Sequence, residues 1–523
     1  MELTATYTKT FGGHTLNGLL GHSYQRFDKE GLSAGNNDFL MDSFLYNNLG
    51  AGNADKPSVG SYASSSKMSS FFARLNYTYR DRYLVTASLR ADGSSNFADG
   101  ERWGYFPSVA LGWRFSEENF MENMKDVVSN AKLRVSYGET GNSNVGNKAM
   151  SFYGVGNNNI FGSSSVLGVY LTQLGNPVLT WETSKEWNVG LDLGFLNNRF
   201  NVTAEYFHRT VSGLLAKRPL LSYNEVGDIV ANSGKTASQG VELTINMNNI
   251  RTKDFEWTSD FTFSLYRDNW KERVDSWVPS AWESYDGPMR YISGYVSDGL
   301  VQPGEEVTWQ INALPGQVKI KDINGFVYNE DGSYKVDEHG IPLKTGKPDG
   351  KLDDADKVVY GRKDPGFMLG FNNTLRWKNF DFNIYFYGEF NKLLDTNYKN
   401  YWVSYNIGDL RRGYNLPSSA ENVWSSQNLN GTMAGFLQGY STYGTGDFYL
   451  EKTWFIRCRN ITLGYNIPVK TDKHILSNLR VYADINNLFM FTNYGGLDPE
   501  TDSSAKWSYP NVRSFSLGLD ITF

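Results

Sequence analysis

The chain has 523 residues, a formal net charge of −6 and a sequence pI near 5.6. This acidic balance argues against nucleic acid as a partner, because a polyanion is bound through excess positive charge. The mean hydropathy is −0.47. No segment approaches the ~20 consecutive apolar residues of a membrane-spanning helix, so a helical membrane protein is excluded.

The composition favours strands and turns over helices. Aromatic residues make up 15% of the chain, and glycine outnumbers proline by 52 to 15. The single cysteine, Cys458, rules out an internal disulfide framework. The first residues, MELTATY, already alternate apolar and polar side chains, so a strand is predicted there and not an export signal.

About fifteen segments along the chain alternate apolar and polar residues with a period of two, which predicts β-strands with one apolar and one polar face. The segment FDFNIYFYGEF places Phe380 and Phe382 on one face and Asp381 and Asn383 on the other. The last segment, SFSLGLDITF, alternates in the same way up to Phe523. The apolar set would face lipid and the polar set a wet interior.

The connectors between these segments alternate strictly between short and long. The short ones are FGGH, YRDR, SEENFMENMKDVVSN, FLNNRF, NNIRTKD, WKNFD and IPVKTDKHILSN. The long ones are 28–66, 92–104, 140–180, 214–236, 269–365, 391–447 and 492–510. Short turns at one end and long loops at the other predict an all-β fold, an antiparallel transmembrane β-barrel with extracellular loop insertions at 269–365 and 391–447.

A soluble propeller or a series of sandwiches is the alternative, since both also alternate apolar and polar residues. Neither sorts its connectors by parity, and the chain has no internal repeat of fixed period. Within the connector SEENFMENMKDVVSN, Phe120, Met124 and Val127 stand at helical spacing. They predict a small periplasmic helix against the barrel rim.

Parity makes a further prediction about the whole assembly. If the last strand runs inward, an odd number of strands places Met1 at the outer face, whereas a complete bacterial barrel has an even count. Residues 1–523 are therefore predicted to be the C-terminal portion of a larger barrel. An N-terminal companion chain, from a nicked loop or a split gene, would supply about seven further strands.

Several stretches resemble one family, the SusC/RagA-type TonB-dependent transporters of Bacteroidetes outer membranes. They occur in the family order: RADGSSNFADGERWGYFPSVALGWRFSEENFM, LRVSYGETGN, LGNPVLTWETSKEWNVGLDLGFLNNRFNVTAEYF, GKTASQGVELTIN, ISGYVSDGLVQ, FIRCRNITLGYNIP and LRVYADINNLFMFTNYGGLDPE. The resemblance implies a plugged barrel of 22 strands, of which this chain would hold about fifteen. The resemblance implies that the plug and the N-terminal domains would lie outside residues 1–523.

The resemblance also implies a function. It implies energised import of oligomeric nutrients, glycan or peptide, across a Bacteroidetes-like outer membrane. A SusD-like surface lipoprotein would lid the barrel, and TonB would act through the companion chain. The alternative is a passive porin or a structural, adhesin-type barrel. Five dispersed histidines and the lack of HExxH or G-x-S-x-G motifs predict that the chain is not an enzyme.

One loop carries a candidate metal site. If residues 326–348 are set aside, the sequence reads D-x-N-x-D-G-x-L-D-x-x-D, which places oxygens as calcium loops do. Side chains would supply most ligands and one residue its carbonyl: Asp322, Asn324, Asp349, Lys351, Asp353 and Asp356. The alternative interpretation is ordinary solvated turn chemistry, in which Asp, Asn and Gly are common.

Aromatic and basic residues in two long loops are candidate contacts for a substrate or a partner. Flat rings with a polar edge stack on sugars and pack against peptides, and they also pack loops together or bind proteins. The candidates are Trp277, Trp282, Tyr285, Tyr401, Trp402 and Tyr405. Arg411 and Arg412 could meet an acidic ligand, although adjacent arginines are also common in solvated loops and at interfaces.

Overall fold

The computed structural model of the chain describes residues 1–41, 43, 45–53, 55, 57–162, 164–395, 413, 418–435, 443–468, 477–496, 498–501 and 509–522. Within these ranges the regular secondary structure is almost entirely β-strand. The strands are β1 (Glu2–Phe11), β2 (His14–Gly35), β3 (Ser58–Tyr79), β4 (Tyr83–Ser94), β5 (Trp103–Trp113), β6 (Val128–Asn142), β7 (Phe152–Phe161), β8 (Ser164–Gln173), β9 (Glu182–Phe195), β10 (Phe200–Ser212), β11 (Leu215–Pro219), β12 (Asp228–Asn232), β13 (Lys235–Arg251), β14 (Phe255–Glu272), β15 (Tyr291–Tyr295), β16 (Ser297–Leu300), β17 (Val318–Ile320), β18 (Lys357–Arg362), β19 (Phe367–Trp377), β20 (Phe380–Asp395), β21 (Leu450–Asn466), β22 (Asn478–Asn486), β23 (Met490–Thr492) and β24 (Ser514–Thr522).

Short 3₁₀ helices are the remaining regular elements of the described ranges. They span Leu49–Ala51, Phe115–Glu117, Asn119–Met124, Asp354–Asp356 and Ser418–Asn422. No helix in the described ranges is both long and apolar enough to cross a bilayer.

One antiparallel sheet dominates the described part of the chain. Fifteen strands form a continuous path in the order β1-β2-β3-β4-β5-β6-β9-β10-β13-β14-β19-β20-β21-β22-β24, and β23 pairs with β21 as a sixteenth strand. Each strand of the path is hydrogen-bonded to the strand before it, so the sheet is a meander. The predicted number of about fifteen strands is confirmed.

The connectors of the meander alternate between short and long. The short ones are 12–13, 80–82, 114–127, 196–199, 252–254, 378–379 and 467–477, and the longest connectors, 143–181, 273–366 and 396–449, lie at the other end. One of the two-residue turns, Gly12-Gly13, has φ of 51° and 87°, a left-handed pair that glycine adopts without strain and that suits a two-residue hairpin. Because successive strands are antiparallel, short turns and long loops lie at opposite ends of the sheet.

Short strands within the long connectors form separate two-stranded sheets, namely β7–β8, β11–β12, β15–β18 and β16–β17. The buried apolar clusters also lie mainly in the connectors. Phe97, Phe106, Leu179 and Trp181 form one of them beside the long loops. The sheet itself exposes large apolar side chains, among them Leu517 at 88% and Phe515 at 69%. The apolar side chains of the sheet therefore do not pack into a hydrophobic core. This is expected for strands whose apolar face contacts lipid.

The connector 114–127 differs from the helix predicted there. It forms 3₁₀ segments at Phe115–Glu117 and Asn119–Met124. Met121, at 9% exposure, is the side chain that packs inward, against Val128 and Ala131. A small helix is thus present, but as 3₁₀ turns, and Phe120, Met124 and Val127, which were predicted to share one face of it, are all exposed. Six residues are too few for the side-chain face of an α-helix to form.

Candidate functional site

The polar face of the sheet carries ion pairs that cross from strand to strand. Arg134 on β6 makes two hydrogen bonds to Asp192 on β9, at 2.7 and 3.0 Å, and one of 2.6 Å to Glu205 on β10. Arg480 on β22 likewise makes bonds of 3.0 and 2.6 Å to Asp381 on β20. Bidentate pairs of this kind are among the stronger charge-assisted hydrogen bonds. Here they link strands that are not consecutive along the chain.

Side-chain amides continue this polar face between the two ion-pair groups. Asn246 donates to Asp260 at 2.8 Å, and Asn383 donates to Asn372 at 2.8 Å. Asn372 in turn donates to Asp260 at 3.4 Å. The row therefore crosses β13, β14, β19 and β20, one side chain per strand. A surface of this kind is wetted by water and offers both donors and acceptors to a polar solute.

A trough of about 670 Å³ lies on the same face, across β4, β5, β6, β9 and β10. Serine and threonine hydroxyls contribute to its lining, namely those of Thr86, Ser108, Ser136, Thr140 and Ser184. Its charged wall is Arg209, whose Nε donates to Glu186 at 2.7 Å. The lining mixes polar and apolar side chains, and many of them are small, so they leave the trough unfilled.

The long connector 273–366 uses its aromatic residues for packing. The Arg273 guanidinium lies 5.3 Å from the Trp270 ring centre and 4.6 Å from that of Trp277. Trp277 Nε1 donates to Glu283 at 2.6 Å, and Tyr291 also donates to Glu283. Burial and this hydrogen bond raise the pKa of Tyr291 to about 12. Trp277 is thus held between a cation and a carboxylate of its own loop.

The other two aromatic candidates in this connector also have partners within it. The ring of Tyr285 stacks on His339 at 3.8 Å with an interplanar angle of 9°. Trp282 lies beside Lys357, whose Nζ is 4.7 Å from the ring centre. These contacts match the alternative in which the rings pack loop on loop. Contact of Trp277, Trp282 and Tyr285 with a substrate or a partner stays a prediction.

The aspartate-rich segment folds as a set of turns closed by side-chain oxygens. Asp322 accepts from the backbone N–H of Gly350 at 2.7 Å, and Asn324 accepts from that of Gly346 at 2.9 Å. Asp349 and Asp353 each accept from the backbone N–H two residues onward, at 3.0 and 2.8 Å. The two halves of the interrupted motif, 322–324 and 349–356, are therefore brought together.

Asp356 is the buried centre of this segment, with no exposed surface. Its carboxylate accepts from the backbone N–H groups of Ile323, Asn324 and Asp353 at 2.7, 3.0 and 3.0 Å. Burial raises the pKa of Asp356 above its ordinary value, and the three N–H bonds oppose that shift. Leu352, in the same segment, is buried in an apolar cluster with Val318 and Ile320.

The residues between the two halves form a compact unit that we call the knob (residues 326–344). Three short extended segments pair with one another in turn, through the bridges Phe326↔Lys344, Tyr328↔Tyr334 and Val336↔Pro342. Both ends of the knob meet at one place, where Thr345 donates its backbone N–H to the Gly325 carbonyl at 2.9 Å. The insertion thus leaves and re-enters the aspartate-rich segment without separating its halves.

Calcium in this segment stays a prediction. Within the described part of the chain, no group of three or more His, Cys, Asp or Glu side chains is arranged to hold a metal ion. The oxygens of Asp322, Asn324, Asp349, Asp353 and Asp356 accept backbone N–H groups. A cation would need these oxygens to turn inward toward it, together with the Lys351 carbonyl.

The remaining predicted contacts fall in the second long connector. Tyr401, Trp402, Tyr405, Arg411 and Arg412 lie outside the described residues. Their role as substrate or partner contacts stays a prediction.

Sequence reasoning missed a buried group that we call the ionic latch (Arg457, Arg459, Asp498 and Glu500). The side chains of Arg457 and Asp498 are 5% and 3% exposed, and Arg457 Nη2 donates to Asp498 at 2.6 Å. Glu500 lies 2.5 Å from Arg457 Nε and also pairs with Arg459. Burial raises the pKa of Glu500, and the two arginines oppose that shift.

The latch pins the connector after β23 against β21. Asp498 also accepts from the backbone N–H groups of Glu500 and Asn511, each at 3.0 Å. The sequence did contain a signal for this group. It is the pair of arginines two positions apart in FIRCRN, where the residues between and beside them are uncharged. A buried arginine requires a carboxylate partner, and the acidic LDPE segment follows within the next connectors.

Comparison with known proteins agrees with this architecture. The family described as "TonB dependent receptor-like, beta-barrel" matches residues 2–488. TonB-dependent receptor P3 of Formosa agariphila is 31% identical over 99% of this chain and 51% of its own length. TonB-dependent receptor SusC of Bacteroides thetaiotaomicron is 30% identical over 99% of this chain and 49% of its own length.

Among solved structures, the RagAB peptide transporter aligns with all of this chain over 55% of the transporter chain. The TM-score is 0.77 and the sequence identity is 22%. The chain spans about half the length of the curated relatives it matches. The antiparallel meander, its alternating connectors and the match over residues 2–488 lead to one conclusion. The chain belongs to the TonB-dependent receptor family, as a β-barrel of the SusC/RagA type that its sequence resembles.

Proposed function

We propose that this chain forms the greater part of the wall of an energised outer-membrane importer for oligomeric nutrients, glycan or peptide. The observation that carries the proposal is the polar face. A continuous surface of cross-strand ion pairs, amides and hydroxyls suits a wet passage through the barrel, while the opposite face suits lipid. The polar trough across β4 to β10 would form part of that passage.

The proposal includes two partners and a plug. Family membership supports a SusD-like surface lipoprotein over the long loops and TonB as the source of energy. The plug would come from sequence outside this chain, in a longer polypeptide or in a companion chain. A denaturing gel of the purified complex tests the companion, which would appear as a second band.

Uptake by whole cells tests the function. We expect labelled oligomers to enter wild-type cells and to stay outside cells that lack this gene, the gene of the partner lipoprotein or TonB. Defined glycans and peptides, offered separately, decide the substrate class. Uptake that persists without TonB or without proton-motive force would contradict the importer and support the passive porin. Loss of adhesion with unchanged uptake would support the structural barrel.

A further inference from the structure

The connector 114–127 carries an unexplained apolar surface, which we call the rim patch (Trp113, Phe120, Met124 and Val127). Its side chains are 38%, 65%, 49% and 55% exposed, in the same order. The connector is otherwise well anchored, because Met121 packs against Val128 and Ala131. The connector is thus held by Met121 and Phe115, while the four apolar side chains of the patch stay partly exposed.

The patch continues the apolar face of the sheet. On β5 the residues of that face, Val109, Leu111 and Trp113, are 42%, 53% and 38% exposed and alternate with less exposed neighbours. The Trp113 ring meets the Phe120 ring edge to face, with centres 6.4 Å apart. The apolar surface therefore runs from β5 onto the connector without a break.

Polar groups place this surface at a boundary and not in the hydrocarbon interior. Glu118 accepts from the Tyr83 hydroxyl at 2.6 Å and from Trp113 Nε1 at 3.2 Å, and it pairs with Arg82 at 3.2 Å. The two aromatic residues thus turn their polar tips toward a charged group and leave their carbon edges exposed. Such an arrangement is typical of residues at the level of lipid headgroups.

Charged side chains are interleaved with the patch itself. Glu122, Lys125 and Asp126 are exposed and alternate in sequence with Phe120, Met124 and Val127. A segment with this mixture has too much charge for the acyl region and too much apolar surface for water. It matches a chain that lies in the plane of the interface.

We infer that the rim patch docks into the periplasmic leaflet of the outer membrane, at the boundary between phospholipid headgroups and acyl chains. The connector belongs to the end of the sheet with the short turns, which in barrels of this class is the periplasmic end. Phospholipid is the occupant because the patch is continuous with the lipid-facing side of β5. The inference rests on the proposed location of the chain in the outer membrane.

Site-specific fluorescence in the complete transporter tests this inference. Cys458, the only cysteine, is buried, so single cysteines can be labelled with an environment-sensitive dye at Phe120→Cys, Met124→Cys and Val127→Cys. The labelled proteins are placed in phospholipid nanodiscs. Two quenchers are compared, a phospholipid brominated near the glycerol end of its acyl chain and aqueous iodide.

Two matched control positions separate the possible outcomes. Leu111→Cys lies on the apolar face of β5, and Asn198→Cys lies on another short connector, where the residue is exposed. We expect brominated lipid to quench positions 111, 120, 124 and 127 several-fold more than position 198, and iodide to show the reverse order. Glu122→Cys, on the same turn as Phe120, should respond to iodide.

Each other outcome has a distinct meaning. If position 111 responds to brominated lipid while positions 120, 124 and 127 respond to iodide like position 198, the rim patch faces water and the inference is overturned. If those three positions are shielded from both quenchers, a protein covers the patch and the inference is also overturned. If position 111 itself fails to respond to lipid, the proposed membrane location is wrong.

Discussion

Arg457 shows how much depends on a single buried charge. It is held by two carboxylates, Asp498 and Glu500, in a place where its side chain is 5% exposed. Replacing both partners by apolar groups can be tolerated in such a site, but removing one leaves the others charged and unpaired. The latch is therefore more a constraint on the position of the connector after β23 than a net source of stability.

We expect Arg457→Met to free this connector. Breaking a buried pair by removing one partner costs about 3 to 5 kcal/mol, so hydrogen exchange of residues 490–501 should become much faster. Arg26→Met is the matched control, since Arg26 and Asp28 form a pair whose side chains are 56% and 55% exposed, and no measurable change is expected there. Unchanged exchange in the Arg457 variant would show that the latch does not restrain the connector.

Asp356 gives the aspartate-rich segment a pH dependence. Burial raises its folded-state pKa above its ordinary value of 3.8, so the folded segment binds the proton more tightly than the unfolded one. Its stability is therefore highest at low pH, falls as pH rises through the folded pKa and is constant above it. A dye on Tyr328→Cys, in the knob, should lose anisotropy over that window.

The control for this titration is Asp356→Asn, which keeps one acceptor oxygen and has no proton to lose. The anisotropy of the dye should then be independent of pH in the acidic range. If the variant keeps the wild-type profile, another group is responsible.

Calcium in the same segment has a separate test. If the ion binds, adding calcium should raise the anisotropy of the dye at position 328, and a chelator should reverse the effect, because ligands on both halves would be fixed together. Asp349→Asn with Asp353→Asn should abolish the response. A signal that is equal in calcium and in chelator would contradict the prediction.

At the scale of elements, the strands depend on close contacts between glycine and aromatic rings. A Cβ built on Gly518 in β24 would lie 2.1 Å from the Tyr482 ring on β22. Gly21 in β2 has a similar neighbour, since its Cβ would lie 2.2 Å from the Phe72 ring on β3, but not every strand glycine does. A Cβ on Gly18 in β2 would meet no atom within 4 Å.

We therefore expect Gly518→Val to weaken the pairing of β22 and β24, by about 1 to 3 kcal/mol, the range for overpacked sites. The folded fraction at each urea concentration can be measured on a gel. A folded barrel in an unheated sample migrates differently from the same protein after it has been unfolded by heating. Gly18→Val should leave the midpoint unchanged. Equal midpoints for the two variants would mean that Tyr482 moves aside freely.

Strand positions could be predicted from the sequence because alternation is a local property. The segment FDFNIYFYGEF lies within β20, and SFSLGLDITF corresponds to β24. What could not be predicted depends on distant residues. The latch joins Arg457 to Asp498, 41 positions apart, and the direction of Phe120 is set by where Met121 finds a buried site.

The candidate site was predicted only in part, for the same reason. Spacing brought Asp322 and Asp356 into one motif, and the structure places both halves of it together. Spacing did not predict that Tyr285 would stack on His339, a residue of the inserted knob. Such a contact depends on how two parts of a connector fold onto each other.

For the whole molecule, the alternation of connectors fixes its orientation. The long connectors and their small sheets should lie outside the cell, and the short turns should lie in the periplasm. We expect a membrane-impermeant maleimide to label Tyr328→Cys in intact cells and to label Asn198→Cys only after the outer membrane is opened. Labelling of position 198 in intact cells would reverse the orientation and refute the assignment of the two ends.

The two ends of the knob lie side by side, and this affects which insertions and sequence changes the connector can accept during evolution. Gly325 and Thr345 are joined by two hydrogen bonds, Thr345 N–H to the Gly325 carbonyl at 2.9 Å and Gly325 N–H to Thr345 Oγ1 at 3.1 Å. A segment whose two ends already touch can be lengthened or exchanged at its exposed tip with little change to the backbone that it joins, provided that the stacking of His339 on Tyr285 is kept. The knob is accordingly a place where the cell could vary the surface that antibodies and bacteriophages meet, and where an experimenter could insert an affinity tag, while the wall of the proposed passage stays the same.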